Sequence, residues 1–373
     1  MSRQSLKISI IGTRGYPYVY SGYETFVKEL SERLVKQGHS VTIYCHSNLF
    51  DKKPKQVNGI DLKYFRTIEK KSLSQLVHSF QSIIHATFSN TDLILAVNSA
   101  NGPLGVIPKI FRKKTTINVD GLEWLRPKWK GLGAKYFYWA SKLSTKLYDE
   151  VITDSFEMEK IYKSEFNSPS TVIAYGANIR HSKSPELIDT WNLKKDGYYL
   201  IVGRLIPDNN ADLIVNEFVA SNSTKMLVIV GDVPYNDAYA ENIKENSDPR
   251  LIFTGYVTDQ EELAELYHNC FAYFHGHQYG GTNPTMLKAL AYGCAILALD
   301  TVFTREMLDG DEYGVFFTKS KNSLVSTLHY AEQNPERLKE LKDKSRDRIT
   351  SNYTWSKITK QYVDLFEKMI SNK

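Results

Sequence analysis

The chain has 373 residues, enough for two or three domains at about 150 residues each, with two the first expectation. Hydrophobic residues make up 42% and charged residues 24%, an ordinary globular make-up that excludes wholesale disorder, collagen-like repeats and a disulfide-stapled miniprotein. The net charge of +5, from 47 Lys and Arg against 42 Asp and Glu, is too small to mark a nucleic-acid binder unless the excess is clustered.

The first residues, MSRQSLKISIIG, lead directly into an apolar strand, with no signal-peptide core or cleavage site. Lys7–Ile11 reads as a strand and Gly22–Gln37 as an amphipathic helix with Phe26, Val27, Leu30 and Leu34 on one face. Strands follow at Val41–Cys45, Leu93–Val97, Thr116–Val119 and Val151–Thr153, with helices over Leu73–Phe88, Leu132–Leu147 and Phe156–Phe166. A polar stretch, Asn178–Asp196, interrupts the pattern. A second series then begins, with strands at Tyr198–Val202, Lys225–Val230, Leu251–Phe253, Phe271–Phe274 and Ile296–Leu299. The tail, Trp355–Ile370, is one more amphipathic helix. This alternation predicts an α/β fold of two doubly wound parallel-sheet domains. Ligands of such sheets bind at the carboxyl ends of the strands, so two domains would face each other across a cleft lined by those loops. No run of about 18 apolar residues exists. The three cysteines, Cys45, Cys270 and Cys294, are far apart in sequence and without metal spacing. A reducing, cytoplasmic setting is expected.

Several loops after strands carry residues suited to chemistry. Gly12-Thr13-Arg14-Gly15-Tyr16-Pro17, with Ser21-Gly22 opening the helix, lets backbone approach an anion. It reads equally as a plain strand-to-helix turn, and it is neither a dinucleotide fingerprint nor a Walker loop. Gly280-Gly281-Thr282-Asn283-Pro284 places Asn283 as an N-cap and Pro284 as the first helical residue. The preceding amides can take a pyrophosphate, and a bare cap is the simpler reading. Gly203-Arg204 through Asn209-Asn210 sets an arginine where it can fork onto phosphate oxygens. Asn118-Val119-Asp120-Gly121-Leu122-Glu123-Trp124 offers two carboxylates for sugar hydroxyls or a proton, or an Asp–Gly turn. Asp309-Gly310-Asp311 spells a metal-associated D-x-D but sits in a turn context. His275-Gly276-His277 lacks carboxylate or thiolate partners, so no metal site is expected.

The charge is uneven. Between Leu104 and Glu150 lie Lys109, Arg112, Lys113, Lys114, Arg126, Lys128, Lys130, Lys135, Lys142 and Lys146 against four acids, a local +6 on a nearly neutral remainder. Trp124, Trp129, Tyr136, Phe137, Tyr138 and Trp139 are interleaved. Basic and aromatic residues together suit an anionic membrane surface. The alternative is a solvated helix over an aromatic core stripe, and no RNA-binding motif accompanies the charge.

The strings GTRGYPYVYSGYETFVKEL, QGHSVTIYC, NVDGLEW, VGRLIPDNN, HGHQYGGTNPTMLKALAYG and YTWSKITKQYVDLF together resemble glycosyltransferase family 4, a retaining GT-B family, and more narrowly its bacterial rhamnosyltransferase-type subgroup. The resemblance implies an acceptor-side domain over 1–179, a nucleotide-sugar-binding domain over 180–352 and a C-terminal helix, 353–373, returning to the first domain. It implies that Arg204, Gly280, Gly281 and Thr282 take the donor pyrophosphate, with Ser21 and Gly22 approaching from the acceptor side. Gly203, Asn209, Asn283 and Lys288 would meet the nucleotide or its sugar, Arg14, Tyr16, Glu123 and Trp124 the acceptor. Asp120 and Arg204 are the expected catalytic residues, with no metal and no cofactor beyond the donor. The expected reaction moves L-rhamnose from dTDP-rhamnose to a lipid-pyrophosphate-linked saccharide in cell-surface polysaccharide synthesis, at the inner face of the plasma membrane. One departure stands out: Lys288 occupies the second Glu of the family's E-x7-E and offers only donors. The alternatives are a different donor (UDP-glucose, UDP-galactose or UDP-N-acetylglucosamine) or a non-catalytic partner subunit.

Overall fold

The computed structural model describes residues 5–17, 22–68, 71–119, 121–233 and 237–371. Two compact units emerge, one of residues 1–175 with 355–373 and one of residues 176–354. The domain limits read from the resemblance, 179/180 and 352/353, lie a few residues from these joins.

The first unit runs β1 (Lys7–Ile11), α1 (Gly22–Lys36), β2 (Ser40–His46), β3 (Gln56–Val57), β4 (Ile60–Phe65), α2 (Lys71–Phe88), β5 (Leu93–Val97), α3 (Val106–Ile110), β6 (Lys114–Val119), α4 (Leu132–Leu147), β7 (Glu150–Thr153), α5 (Phe156–Phe166) and β8 (Thr171–Val172). Its eight strands are ordered β3-β4-β2-β1-β5-β6-β7-β8, parallel except for the β3–β4 hairpin. The central strand β5, LILAV, is buried at every position, as a parallel strand covered by helices on both faces must be. Helix ends follow their capping residues. The Ser155 hydroxyl accepts from the Met158 amide at the start of α5, and Asn167 takes the left-handed conformation at its end.

The second unit runs β9 (Tyr198–Val202), α6 (Ala211–Val219), β10 (Met226–Val230), α7 (Ala238–Lys244), β11 (Leu251–Gly255), α8 (Gln260–Asn269), β12 (Ala272–His275), α9 (Pro284–Tyr292), β13 (Ile296–Leu299), α10 (Val302–Met307), β14 (Gly314–Phe317), α11 (Ser323–Gln333) and α12 (Pro335–Arg348). Its six strands are all parallel, in the order β11-β10-β9-β12-β13-β14. Tyr199, Ile214, Phe218, Leu227, Phe274 and Phe317 belong to its buried core. The last helix, α13 (Trp355–Ser371), is part of the first unit. Its apolar face, including Trp355, Ile358, Tyr362, Val363 and Phe366, packs on α1, where Phe26 meets Tyr362 at 5.5 Å and Tyr175 at 5.2 Å between ring centroids.

Strands β3, β4, β8 and β14 were not anticipated from the sequence. Strand β4, IDLKYF, alternates buried and exposed residues, and β8 is two residues long on a sheet edge. Cys270 and Cys294, distant in sequence, lie buried with their sulfurs 3.9 Å apart as free thiols.

Candidate functional site

In the second unit, the segments after β9 and β12 leave adjacent strands of one sheet and are tied together. The Asn210 Nδ2 donates to the Gly276 carbonyl at 2.7 Å, and the Gln278 amide donates to the Asp208 carbonyl at 3.0 Å. The Asn209 side chain bridges the two loops, with Oδ1 2.8 Å from His277 Nδ1 and Nδ2 donating to the Arg204 carbonyl at 2.8 Å. The approach requires glycine at 276, because a Cβ there would stand 2.2 Å from the Asn209 carbonyl oxygen. The structure thus brings Gly203, Arg204 and Asn209 beside the loop that feeds α9. The Arg204 side chain is exposed and forms no ion pair among the described residues.

At the start of α9, Asn283 Oδ1 accepts from the Thr285 amide at 2.9 Å and its hydroxyl at 2.7 Å, and Pro284 is the first helical residue. Gly280 has φ 114°, and Gly281 and Thr282 are buried in front of the cap. The amides and the dipole at a helix N-terminus favour an anion. Lys288, one turn further along α9, is half-buried with its ammonium 5.7 Å from the Tyr292 ring centroid. Burial, and then the neighbouring Arg180 guanidinium, lower its pKa. No acid lies within ion-pair distance of Lys288 among the described residues, and the neighbouring Arg180 is paired with Glu261.

In the first unit, Ser21 and Asp120 lie outside the described residues. Gly22 opens α1. Arg14 is half-exposed, and its backbone amide and guanidinium both face the buried Glu24 carboxylate, at 3.3 and 3.8 Å. Tyr16 is buried; its hydroxyl donates to Glu32 at 2.7 Å and accepts from Asn58 at 2.6 Å, and burial pushes its pKa up to about 12. The Glu123 carboxylate takes one donor on each oxygen, Arg126 at 2.5 Å and Trp129 Nε1 at 2.6 Å. Trp124 packs edge-on against Tyr138, Tyr162 and Phe166. These contacts give all three structural roles: Tyr16 ties its loop to α1 and to the β3–β4 turn, Glu123 braces its own loop, and Trp124 packs on α4 and α5.

The two metal-like strings are occupied otherwise. Asp311 pairs with Arg305 at 2.6 Å and Asp309 with Arg348 at 3.5 Å. His275 is buried, and its pKa falls to about 3 through burial and the neighbouring His277. Among the described residues no group of three or more His, Cys, Asp or Glu side chains could hold a metal ion.

The basic segment divides. Lys113 donates to the Ser89 and Thr91 carbonyls, and Arg126 is paired with Glu123. By contrast, Leu132, Lys135, Trp139, Lys142 and Lys146 form one exposed stripe along α4, with Leu132 85% and Trp139 50% exposed. No helix among the described residues is long and apolar enough to cross a membrane. Sequence reading passed over a polar cavity of about 220 Å³ in the first unit, lined by Arg14, His46, Asn48, Thr67, Ser74 and Gln75 with Leu49. The signal available was His46 followed by Ser47 and Asn48, polar residues closing an apolar strand.

Residues 183–348 match the model of the family "Glycosyl transferases group 1", and residues 106–178 match that of a domain of unknown function, DUF1972. The fold is similar to that of sucrose-phosphate synthase from Thermosynechococcus elongatus, with TM-score 0.82 and 18% identity over 98% of this chain and 99% of that one. It is also similar to Anabaena Alr3699/HepE in complex with UDP-glucose, with TM-score 0.76 and 14% identity over 99% and 100% of the two chains. Over 41% of its length the chain is 24% identical to a Campylobacter jejuni N-acetylgalactosamine-N,N'-diacetylbacillosaminyl-diphospho-undecaprenol 4-alpha-N-acetylgalactosaminyltransferase, of which it spans 42%. The chain spans 41% of a second curated relative that it matches and 91% of a third. The match to the glycosyl transferases group 1 model lies within the second unit, and the two sheet units have the GT-B fold. These likenesses do not single out the rhamnosyltransferase-type subgroup.

Proposed function

We propose that this GT-B-type glycosyltransferase moves a hexosyl unit from a nucleoside-diphosphate sugar to a lipid-pyrophosphate-linked saccharide, with retention and without a metal. The observation that carries the reading is the tied pair of loops in the second unit, where the exposed Arg204 and the capped α9 N-terminus follow adjacent strands. The amides at 280–282 would hold the donor pyrophosphate, and Arg204 would neutralise charge developing on the leaving diphosphate, the kind of pre-set stabilisation that contributes most in acyl and phosphoryl chemistry alike. The leaving phosphate would take the acceptor proton on the same face. Asp120 and Ser21–Gly22 would act from the first unit.

The sugar is either rhamnose, as the sequence resemblance implies, or a hexose carried on UDP. The UDP-glucose bound by HepE and the N-acetylgalactosaminyl transfer named for the Campylobacter relative support the second. That relative's diphospho-undecaprenol name also supports a lipid-linked acceptor. The exposed Leu132–Trp139 stripe of α4, with its lysines, supports docking on an anionic membrane at the cytoplasmic face. Calorimetry with dTDP-rhamnose, UDP-glucose, UDP-galactose and UDP-N-acetylglucosamine, followed by transfer to a lipid-linked acceptor in EDTA, tests the reading. One donor should bind and turn over. Failure of every donor to bind would favour a non-catalytic partner subunit, for which Lys288 is the sequence argument. Co-sedimentation with anionic liposomes, lost on charge reversal at Lys128, Lys130 and Lys135, tests the membrane part.

A further inference from the structure

The side chain of Arg204 is exposed and has no ion pair among the described residues, so its direction is set by the backbone beneath it. That backbone is held closely. The buried Leu205 anchors the chain one residue on. The Arg204 carbonyl accepts twice, from the Ile206 amide at 2.9 Å and from Asn209 Nδ2 at 2.8 Å. The second bond fixes the orientation of the Asn209 amide. A carbonyl can only accept, so the side-chain nitrogen must face Arg204 and the side-chain oxygen must face away from it. There the oxygen meets His277 Nδ1 at 2.8 Å, in the loop after β12. An amide oxygen can only accept in its turn, so Nδ1 must carry a proton, in the neutral ring and in the cation alike. One line of hydrogen bonds therefore runs from His277 through Asn209 to the Arg204 carbonyl, with the donor and the acceptor of each step determined. The two loops leave little room around it: Asn209 Nδ2 lies 3.3 Å from where a Cβ on Gly203 would stand.

We infer that His277 and Asn209 are positioning residues for Arg204. The inference rests on the transferase reading above and adds to it two side chains that act without touching the donor. The resemblance implies that Asn209 meets the nucleotide or its sugar; in the structure its amide oxygen and its amide nitrogen each have a partner within the protein, so it acts one step removed. The reason for such a brace is entropy. A long exposed guanidinium loses rotamer freedom when it grips a phosphate, and a mobile loop beneath it would add a second loss. A backbone fixed beforehand leaves only the side chain to be ordered on binding. Asn209 cannot do this from one end. The terminal torsion of an asparagine is broad, so an amide bonded only to the Arg204 carbonyl could swing off it. The bond from His277 holds the other end.

Calorimetry of UDP and dTDP on the full chain tests the assignment. At least one should bind the parent chain, and Asn209→Ala and His277→Ala should each weaken it about tenfold, the loss of one hydrogen bond. His277→Asn keeps an N–H donor near the place of Nδ1 and should restore most of the affinity. His277→Gln carries its amide to the place of Nε2 and should not. The sharpest comparison is made in an Arg204→Ala background, read by saturation-transfer NMR where binding is weak. There Asn209→Ala and His277→Ala should bring no further loss, because side chains that act through Arg204 have nothing left to position. Thermal melts identify any variant that fails to fold, and the remaining one then decides. Additive losses in the Arg204→Ala background, unchanged affinity in the folded single variants, or rescue by Gln in place of Asn would each overturn the assignment. Nucleotide binding by the parent chain leaves the transferase reading standing in all three cases. A parent chain that binds neither nucleotide removes both.

Discussion

Asn118 and Tyr362 are fully buried, and the Asn118 amide nitrogen donates to the Tyr362 hydroxyl, 2.8 Å away. Tyr362→Phe keeps the ring that packs on Phe26 and removes that acceptor. A buried donor left without a partner costs about 1–3 kcal/mol, so urea unfolding should show a loss of that size. An unchanged midpoint would mean that the amide finds another acceptor. Gly276 presents the opposite case, a position where one added methyl is too much. Its Cβ would meet the Asn209 carbonyl at 2.2 Å, so Gly276→Ala must push the Gly203–Asn210 loop away from the loop before α9. Overpacking costs about 1–3 kcal/mol, and displacement of Arg204 should weaken nucleoside-diphosphate binding by tenfold or more in calorimetry. A loss of stability with full affinity would separate Arg204 from donor binding.

At the scale of elements, what the sequence made legible depended on burial from both sides. Strands β1, β5 and β9 and helices α4 and α5 were read to the residue, because central parallel strands are continuous apolar runs and these helices keep a 3.6 period. Elements at or next to the sheet edges escaped: β4 alternates, and β3 and β8 are two residues long. The second-unit loops were legible because glycine, proline and asparagine leave a local signature. The cavity was not, because Arg14, His46, Thr67 and Gln75 are gathered by sheet order from four separate elements. Helix α13 shows the same dependence on tertiary context. Its amphipathic pattern predicted a helix, and its partner became visible only with Phe26 of α1 seated among Tyr175, Trp355 and Tyr362. Phe26→Ala should therefore cost about 3–5 kcal/mol, as for large aromatic truncations in cores. It should also raise proteolysis at the C-terminal helix. A cost below about 1 kcal/mol would show that α13 is held by other contacts.

Over the whole molecule, three buried histidines contribute to the response to acid. His46 is lowered to about 4 by burial and Arg14, against a contact with Gln75; His78 is lowered to about 3 by burial and His46; His275 is lowered to about 3 by burial and His277. In the unfolded chain these side chains titrate near 6.5. Their folded values are depressed, so the stability that they contribute as neutral groups is fully present above pH 6.5. It declines as pH falls through the interval between 6.5 and the folded values, where the unfolded chain binds the extra protons. Each proton contributes a slope of about 1.4 kcal/mol per pH unit, so between pH 6.5 and the folded values the first unit, with His46 and His78, should lose up to about 3 kcal/mol per pH unit and the second, with His275, about half that. Replacing His46 with Gln and His78 with Phe should lower stability at pH 7 yet flatten its decline between pH 6 and 4.5. Urea titrations at successive pH values measure that decline directly. An acid limb as steep in the double variant as in the parent chain would place the acid sensitivity in carboxylates instead of in this histidine pair.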